Sequence, residues 1–210
     1  MPKKKVSFYR MPAEWEEQKS TLIGWPYNKN DWPGLFKNIP TVFAKIISKI
    51  TECQKVNLLI RNLSSKKKVE KLLKKHRVNF RNIKYRVCKT DRVWMRDTGP
   101  IFVKDKKNKN ILINWRFNGW AKYKNFKNDN DVNLRIKDYF EGDIIAPKFS
   151  NKSIVLEGGS IDVNGRGLLL TTKECLLSKI QQRNSFLSVN DYKQIFQKFL
   201  GINKVIWLNK

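Results

Sequence analysis

Short apolar segments alternate with amphipathic helix patterns in the first half of this chain. Residues 55–60 predict a strand, and its core from Val56 to Ile60 is apolar except for Asn57. The flanking segments 36–54 and 64–76 repeat apolar residues at helical spacing, with lysines on the opposite face of the second. Strand, helix and strand units of this kind bury helices against a sheet, so we predict an α/β fold with mixed sheets.

Length and composition bound the class of protein. The chain has 210 residues, 40% of them hydrophobic, which is enough to build the core of one large domain or two small ones. No apolar run approaches the roughly 18 residues that cross a bilayer. The lysine-rich start has no apolar stretch behind it, so we predict neither a secretory signal nor a membrane protein.

The cysteine and histidine content argues against a disulfide framework and a zinc site. Three cysteines and one histidine show no metal-ligand spacing, which favours a reducing, cytoplasmic setting. We therefore expect no metal site. We interpret Cys53, Cys88 and Cys175 as small buried apolar residues, since His76 lies in a basic helix end and is a poor activating base.

The strong positive charge has two readings. A net charge of +26 is common in proteins that bind nucleic acid, yet 33 of the 44 basic residues are lysines scattered over the whole length. Proteins that bind nucleic acid favour arginine, because its guanidinium makes bidentate contacts with bases and phosphates. We therefore favour AT-rich coding bias over a nucleic-acid function, and a steep fall of DNA affinity with salt would reverse that choice.

Further elements follow from local patterns. Asn164-Gly165 between apolar runs predicts a hairpin, and Gly201 closes a helix predicted over 189–199. The remaining predictions are a strand pair over 78–87, strand, turn and strand over 92–103, a strand over 153–157, a capping box at 171–174 that opens a short helix, and a buried strand over 205–208.

Two segments carry charged residues that could do chemistry. The first runs from Asp91 to Pro100, where Trp94 and Asp97 could hold a cation through the ring face and the carboxylate. A surface pair of Arg96 with Asp97 explains the same residues. The second places Glu157 at the end of an apolar strand, before two glycines that let a ligand approach. A buried glutamate there needs a histidine, an arginine or a cation as its partner, whereas an exposed one needs none.

Seven motifs occur in an order that is similar to the agmatine deiminase and bacterial-type peptidylarginine deiminase family. The resemblance covers nearly the whole chain and rests on Met11-Pro-Ala-Glu-Trp15, Trp25-Pro26 with Trp32, Trp94-Met-Arg-Asp-Thr-Gly-Pro100, Phe117-Asn-Gly-Trp120, Leu156-Glu-Gly-Gly-Ser160, Leu170-Thr-Thr-Lys-Glu-Cys-Leu-Leu177 and Arg183-Asn184. It implies a pentein fold, an α/β propeller around a central active site, of which residues 1–210 form a single partial catalytic domain with roughly the first three of five blades.

The resemblance also implies a reaction and roles for residues. Family members hydrolyse agmatine to N-carbamoylputrescine and ammonia in putrescine biosynthesis, without cofactor or metal. Asp97 then matches a carboxylate that binds the guanidinium, and Trp94 lines the substrate pocket. Glu157 matches the acid that orients the catalytic histidine, and Asp91 is a candidate for the substrate entrance.

The sequence also departs from the family pattern. The family's Phe-Asn-Ala-Trp-Gly-Gly stretch is here Phe117-Asn-Gly-Trp-Ala-Lys122. The Gly-His-x-Asp segment and the late nucleophilic cysteine have no match, so we expect the chain to be inactive alone. Expected partners are agmatine, a complementing carboxyl-terminal fragment and, because relatives often form dimers, a second copy. The alternatives are a non-enzymatic remnant that keeps a guanidinium-binding half-pocket and a basic nucleic-acid-binding protein.

Overall fold

The chain divides into two compact units. The computed structural model describes residues 8–209. One unit, which we call the parallel-sheet unit, comprises Glu17–Met95 and Asn125–Ile136. The other, the two-sheet unit, comprises Met1–Glu16, Arg96–Lys124 and Lys137–Lys210. The predicted mixture of helices and sheets is confirmed.

The parallel-sheet unit is built from three parallel strands and the helices that connect them. The strand order is β1-β2-β3, and β2 is buried along its whole length. Because parallel neighbours need a crossover, a helix follows each of the first two strands. Its elements are β1 (Thr21–Gly24), α1 (Ile39–Ile50), β2 (Val56–Ile60), α2 (Leu63–Lys75), β3 (Ile83–Val87), α3 (Met95–Thr98, which runs across the unit boundary), α4 (Lys127–Asn130) and α5 (Val132–Ile136).

Helices α1 and α2 form where the apolar spacing predicted them. Ala44 and Ile47 of α1 and Val69 and Leu73 of α2 are buried in one core with the residues of β2. The helix α2 begins after Asn62, whose side-chain oxygen accepts a hydrogen bond from the Ser65 amide at 2.9 Å. Burial of one apolar face therefore fixes both crossovers, and a side-chain cap adds to it at the start of α2.

The two-sheet unit repeats one connectivity. An antiparallel hairpin, β4 with β5, is extended by the parallel strand β6; a second hairpin, β9 with β10, is extended by the parallel strand β11. Its elements are β4 (Ile101–Lys104), β5 (Asn110–Ile113), β6 (Asp143–Ile145), the small hairpin β7 (Lys148–Phe149) and β8 (Lys152–Ser153), β9 (Ile161–Val163), β10 (Leu168–Thr172), α6 (Lys173–Leu177), α7 (Val189–Leu200) and β11 (Lys204–Leu208). The predicted hairpin at Asn164-Gly165 is confirmed.

The helix α7 supplies much of the core of this unit. Tyr192 and Phe196 are fully buried in the same cluster as strand residues of both sheets. The helix begins with a capping box of Ser188 and Asp191, and it ends at Gly201, which adopts the left-handed conformation at φ +74°. The predicted helix and its glycine cap are confirmed.

Three predicted strands are wrong. The segment 78–87 holds one strand, β3, because Phe80–Asn82 is a 3-10 turn capped by the Asn79 side chain. The segment 92–103 holds the helical turn α3 and then β4. The segment 153–157 has β8 at its start and only an isolated bridge of Val155 to Arg116 beyond it. In each case polar side chains satisfy backbone groups that a strand would pair with another strand.

Two smaller predictions also need correction. The short helix α6 is capped by Thr172, whose hydroxyl oxygen accepts from the Cys175 amide, and not by Thr171. Thr171 instead belongs to β10 and donates its hydroxyl to the Ser160 carbonyl at 2.7 Å. The final strand β11 is half-buried rather than buried, because it lies at one end of its sheet, where alternate residues are exposed.

We expect Gly201→Ala to destabilise the two-sheet unit far more than backbone conformation alone predicts. A Cβ atom at this position would overlap the carbonyl oxygen of Tyr9. The overlap adds to the left-handed penalty, for a loss of about 3 kcal/mol or more. Gly34→Ala is the matched control. Gly34 also has a left-handed φ, +76°, but a Cβ atom added there would have no other atom within 4 Å. This variant should therefore lose only roughly 1 kcal/mol of unfolding free energy. Equal losses in urea unfolding would contradict the packing argument.

Candidate active site

Asp97 lies in the helical turn α3, and its carboxylate accepts hydrogen bonds from neutral donors outside that turn. The indole Nε1 of Trp120 donates to its Oδ2 at 3.2 Å, and the backbone N–H of Gly159 donates to the same carboxylate. Within residues 8–209 no lysine or arginine nitrogen forms an ion pair with Asp97. This half-buried carboxylate is therefore positioned by neutral groups, and its charge is not matched by a direct cationic contact.

The backbone at Gly158 and Gly159 packs directly against residues 96–97. A Cβ atom on Gly158 would overlap the carbonyl oxygen of Arg96, and one on Gly159 would overlap Oδ1 of Asp97. The Arg96 side chain completes the contact, because its Nε donates to the Gly158 carbonyl at 3.1 Å. Only glycine permits so close an approach, which explains the Gly-Gly pair in physical terms.

Glu157 is buried and half-satisfied. Its side chain is 1% exposed, and Nε of Arg183 donates to Oε1 at 2.7 Å. The second oxygen, Oε2, is buried without a hydrogen-bond partner among the described residues. The carboxylate thus has one oxygen bound to a guanidinium and one available to a further donor.

Asn184 holds the segment that carries Glu157. Its Oδ1 accepts from the Val155 amide at 2.9 Å, and its Nδ2 donates to the Val155 carbonyl at 2.8 Å and to the Tyr192 hydroxyl at 2.9 Å. Asn184 therefore provides both backbone hydrogen bonds that a neighbouring strand would otherwise make. Burial raises the pKa of Tyr192 to about 12, so its hydroxyl stays protonated.

The two carboxylates lie close enough to influence each other. Burial raises the pKa of Asp97, against the hydrogen bonds from Trp120 and Gly159 and the nearby charge of Arg183. Burial also raises the pKa of Glu157, Arg183 lowers it, and the charge of Asp97 raises it further. Their segments meet because Gly159, two residues after Glu157, packs against Oδ1 of Asp97. Neither residue lies in the strand that the sequence predicted for it: Asp97 is in α3, and Glu157 precedes the 3-10 turn Gly158–Ser160.

Trp120 reaches Asp97 from a strained turn. Trp120 and Ala121 have φ of +59° and +57°, a conformation that non-glycine residues rarely adopt. The Asn118 side chain stabilises the turn by accepting from the Ala121 amide at 2.9 Å. Edge-to-face contact with Phe117, with ring centroids 4.9 Å apart, further orients the indole.

Asp91 belongs to the parallel-sheet unit, in the loop that follows β3. Both of its carboxylate oxygens accept hydrogen bonds from Asn128, one from the backbone N–H at 2.8 Å and one from Nδ2 at 2.7 Å. The buried Asp129 accepts in turn from the amides of Asp91 and Arg92 at 2.7 and 3.1 Å. These contacts fix the path of the loop toward Trp94.

Trp94 presents part of its ring to solvent. Its side chain is 44% exposed, and its ring packs on that of Trp32 at a centroid distance of 5.8 Å. Behind it, the Arg92 guanidinium is buried and donates to the carbonyl and side-chain oxygens of Asn125 at 2.7 and 2.8 Å. The indole is thus an exposed aromatic surface on a rigid loop, which suits contact with a cation or an alkyl chain.

Sequence reasoning missed two participants in the site. Arg183 and Trp120 were quoted only as parts of motifs, although the requirement that a buried glutamate have a partner was a signal for the first. Cys88 is buried, with a raised thiol pKa, whereas Cys53 is exposed, so the expectation of a buried Cys53 is wrong. Among residues 8–209, no three metal-binding side chains converge, and no helix has the length and apolarity to span a bilayer.

We expect Arg183→Met to cost about 3–5 kcal/mol of unfolding free energy, because it leaves a charged Glu157 buried without its partner. The loss should shrink as pH is lowered, since protonation then removes the unpaired charge. The double variant with Glu157→Gln should recover most of the loss. A single variant within about 1 kcal/mol of the parent in urea titrations would refute a structural role for the pair.

The Asp129 carboxyl should make stability depend on pH in a defined window. Burial raises its pKa from 3.8 to about 6 in the folded chain. The folded state therefore holds the proton more tightly, so this contribution is fully present below about pH 4 and is lost as pH rises through 6. The shift corresponds to at most about 3 kcal/mol. Asp129→Asn should flatten the profile between pH 4 and 6, and an unchanged profile would contradict the assignment.

Comparison with known proteins identifies relatives along almost the whole chain. The family model of Porphyromonas-type peptidyl-arginine deiminases matches residues 10–210. The agmatine deiminase of Ectopseudomonas mendocina (strain ymp) is 32% identical over 205 residues, which cover 95% of this chain and 52% of that protein. Two solved structures are similar: the agmatine deiminase of Enterococcus faecalis (TM-score 0.82, 27% identity, 97% of this chain and 53% of that one) and the C. Jejuni agmatine deiminase with substrate bound (0.79, 28%, 96% and 56%).

These matches confirm the expected resemblance at the level of sequence and of three-dimensional structure. The chain spans about half the length of the curated relatives it matches. The two motif segments that meet in the candidate site, around Asp97 and Glu157, both lie inside the matched region. The chain belongs to the Porphyromonas-type peptidyl-arginine deiminase family.

Proposed function

We propose that this chain forms the amino-terminal part of an agmatine deiminase, which hydrolyses agmatine to N-carbamoylputrescine and ammonia. The observation that carries the proposal is the Asp97 carboxylate, which is fixed by Trp120 and Gly159 and has no ion pair among residues 8–209. In a chain of net charge +26, a half-buried carboxylate without a cationic partner is suited to bind a cation from outside. The similarity to agmatine deiminases supports a guanidinium as that cation.

The proposed roles follow from what each side chain can do. Asp97 accepts N–H bonds from the guanidinium and fixes its carbon in the line of attack. Glu157 uses its second oxygen, Oε2, to hold a histidine that assists water. Trp94 lines the pocket for the substrate's alkyl chain, and Asp91 lies at the entrance.

The reaction divides into two steps. A thiolate attacks the guanidinium carbon, and the carbon–nitrogen bond breaks as ammonia leaves with a proton from the histidine. Water then cleaves the amidino-thioether, which restores the thiolate and leaves the urea group of N-carbamoylputrescine. The thiolate and the histidine are expected from the part of the relatives that this sequence does not match, so the 210 residues alone should be inactive.

The wider proposal concerns architecture, partners and setting. The repeated hairpin-plus-parallel-strand connectivity of the two-sheet unit supports a pentein propeller, with both units in one partial catalytic domain. A fragment that corresponds to the carboxyl-terminal half of the relatives is the proposed partner, and a homodimer is a second. A cytoplasmic enzyme of putrescine formation, with no cofactor, fits the resemblance.

The decisive experiment measures ammonia release from agmatine by the chain alone and after adding the carboxyl-terminal half of a related agmatine deiminase. We expect turnover only in the mixture. Turnover by the chain alone that is lost on changing Cys53, Cys88 or Cys175 would overturn the proposal, because it would reveal a different nucleophile. Binding without turnover in the mixture would instead favour a guanidinium-binding module.

A binding experiment tests Asp97 without the missing half. Agmatine should bind the chain more tightly than putrescine, which lacks the guanidinium, in calorimetric titrations. Gly159→Ala places a methyl group where Oδ1 of Asp97 lies, so agmatine affinity should fall roughly tenfold or more, as for Asp97→Asn. Gly34→Ala, whose new methyl group contacts nothing, is the control. Unchanged affinity in both site variants would exclude Asp97 as the guanidinium ligand.

A further inference from the structure

The parallel-sheet unit contains a cavity outside the residues assigned to the reaction. It lies where the chain leaves β1, at Trp25, Pro26 and Tyr27, and where it leaves β2, at Arg61, and it continues along α2. The carboxyl ends of parallel strands are the usual position of ligand sites in α/β sheets. The cavity volume is about 540 Å³. That volume is within the range of about 300–1,000 Å³ found for small-molecule sites.

The interior of the cavity is apolar. Its walls include the rings of Trp25, Phe36 and Pro40 together with the side chain of Leu72. The rings of Trp25 and Phe36 are half-buried and leave a face toward the space. Such a lining favours an aromatic or alkyl body over a strongly hydrated one.

The rim of the cavity carries positive charge only. Arg61, Lys68, Lys71 and Lys75 line it with Lys29, and no aspartate or glutamate is among the lining residues. The three α2 lysines are spaced three and four residues apart, which places them on one helix face. Among residues 8–209, none of these five cations forms an ion pair.

Two contacts separate this rim from an ordinary solvated helix face. The guanidinium of Arg61 lies over the Tyr27 ring at 5.0 Å from its centroid, which holds it beside the opening. Glu70, the one acidic residue in the sequence of α2, pairs at 3.6 Å with Lys66 and does not line the cavity. Among residues 8–209, the basic side chains around the apolar space therefore have no carboxylate as a direct ion-pair partner.

We propose that this cavity binds a small amphipathic anion, with an aromatic or alkyl body in the apolar interior and a carboxylate, sulfonate or phosphate at the basic rim. The charge of this ligand is opposite to that of a guanidinium, so the cavity is not proposed as a site for agmatine. The volume of about 540 Å³ argues for a small molecule rather than a macromolecular surface.

The test uses the fluorescent probe 8-anilinonaphthalene-1-sulfonate with the 210-residue chain. We expect saturable binding at one site per chain. The double variant Lys68→Gln and Lys71→Gln should weaken the affinity roughly five- to tenfold. The matched control is Lys67→Gln with Lys74→Gln, which removes the same charge from the same helix at positions that do not line the cavity; its affinity should stay within about twofold.

A second variant probes the apolar interior. Ser65 lines the cavity, and Ser65→Phe should fill part of it and weaken probe binding while circular dichroism confirms the fold. The uncharged analogue N-phenyl-1-naphthylamine should bind at least fivefold more weakly than the sulfonate. The proposal is overturned if the two lysine double variants lose the same affinity for the probe, or if the neutral analogue binds as tightly as the sulfonate. It is also overturned if Ser65→Phe leaves probe binding unchanged. None of these results fits a charged rim around this apolar space.

Discussion

The candidate site depends on the close approach of the backbone at Gly158 and Gly159 to residues 96–97. Glycine is required at both positions because a Cβ atom would overlap the Arg96 carbonyl or the Asp97 carboxylate. The contact brings together two segments that are 62 residues apart in the sequence, as measured by the hydrogen bond from Arg96 to the Gly158 carbonyl. Since Glu157 directly precedes these glycines, one packing constraint positions both carboxylates.

The two carboxylates are then made different by their partners. Glu157 is buried and bound by Arg183, so its charge is compensated inside the protein. Asp97 has neutral donors instead: burial raises its pKa, the hydrogen bonds from Trp120 and Gly159 lower it, and the charges of Arg96 and Arg183 lower it further. Glu157 thus has a direct cationic partner inside the protein, whereas Asp97 has none among residues 8–209. The two carboxylates therefore differ because of the groups that surround them, and not because one is a glutamate and the other an aspartate.

Elements whose signals are local could be predicted from the sequence. The helices α1, α2 and α7 have apolar periodicity within their own segments, and α2 and α7 also have side-chain caps there. The hairpin at Asn164-Gly165 needs only its turn residues. The strand predicted over 153–157 failed because Asn184, 29 residues from Val155, makes the backbone bonds of a missing strand. Sequence reasoning could require a partner for Glu157, but it could not choose Arg183, since only the fold brings the two together.

The strained turn at Trp120 and Ala121 shows what the position of Asp97 costs. Left-handed conformations cost about 1 kcal/mol or more for each non-glycine residue, and here two such residues follow Gly119, itself at φ +67°. Strain of this kind persists only where the surroundings over-determine it. Here the Asn118 cap, the Phe117 ring and the Asp97 carboxylate all hold the indole or its backbone. A glycine in place of Trp120 would relieve the strain at that residue, but it would also remove the Nε1 donor. The turn is therefore less stable locally than it could be, and in return the indole fixes the orientation of the Asp97 carboxylate.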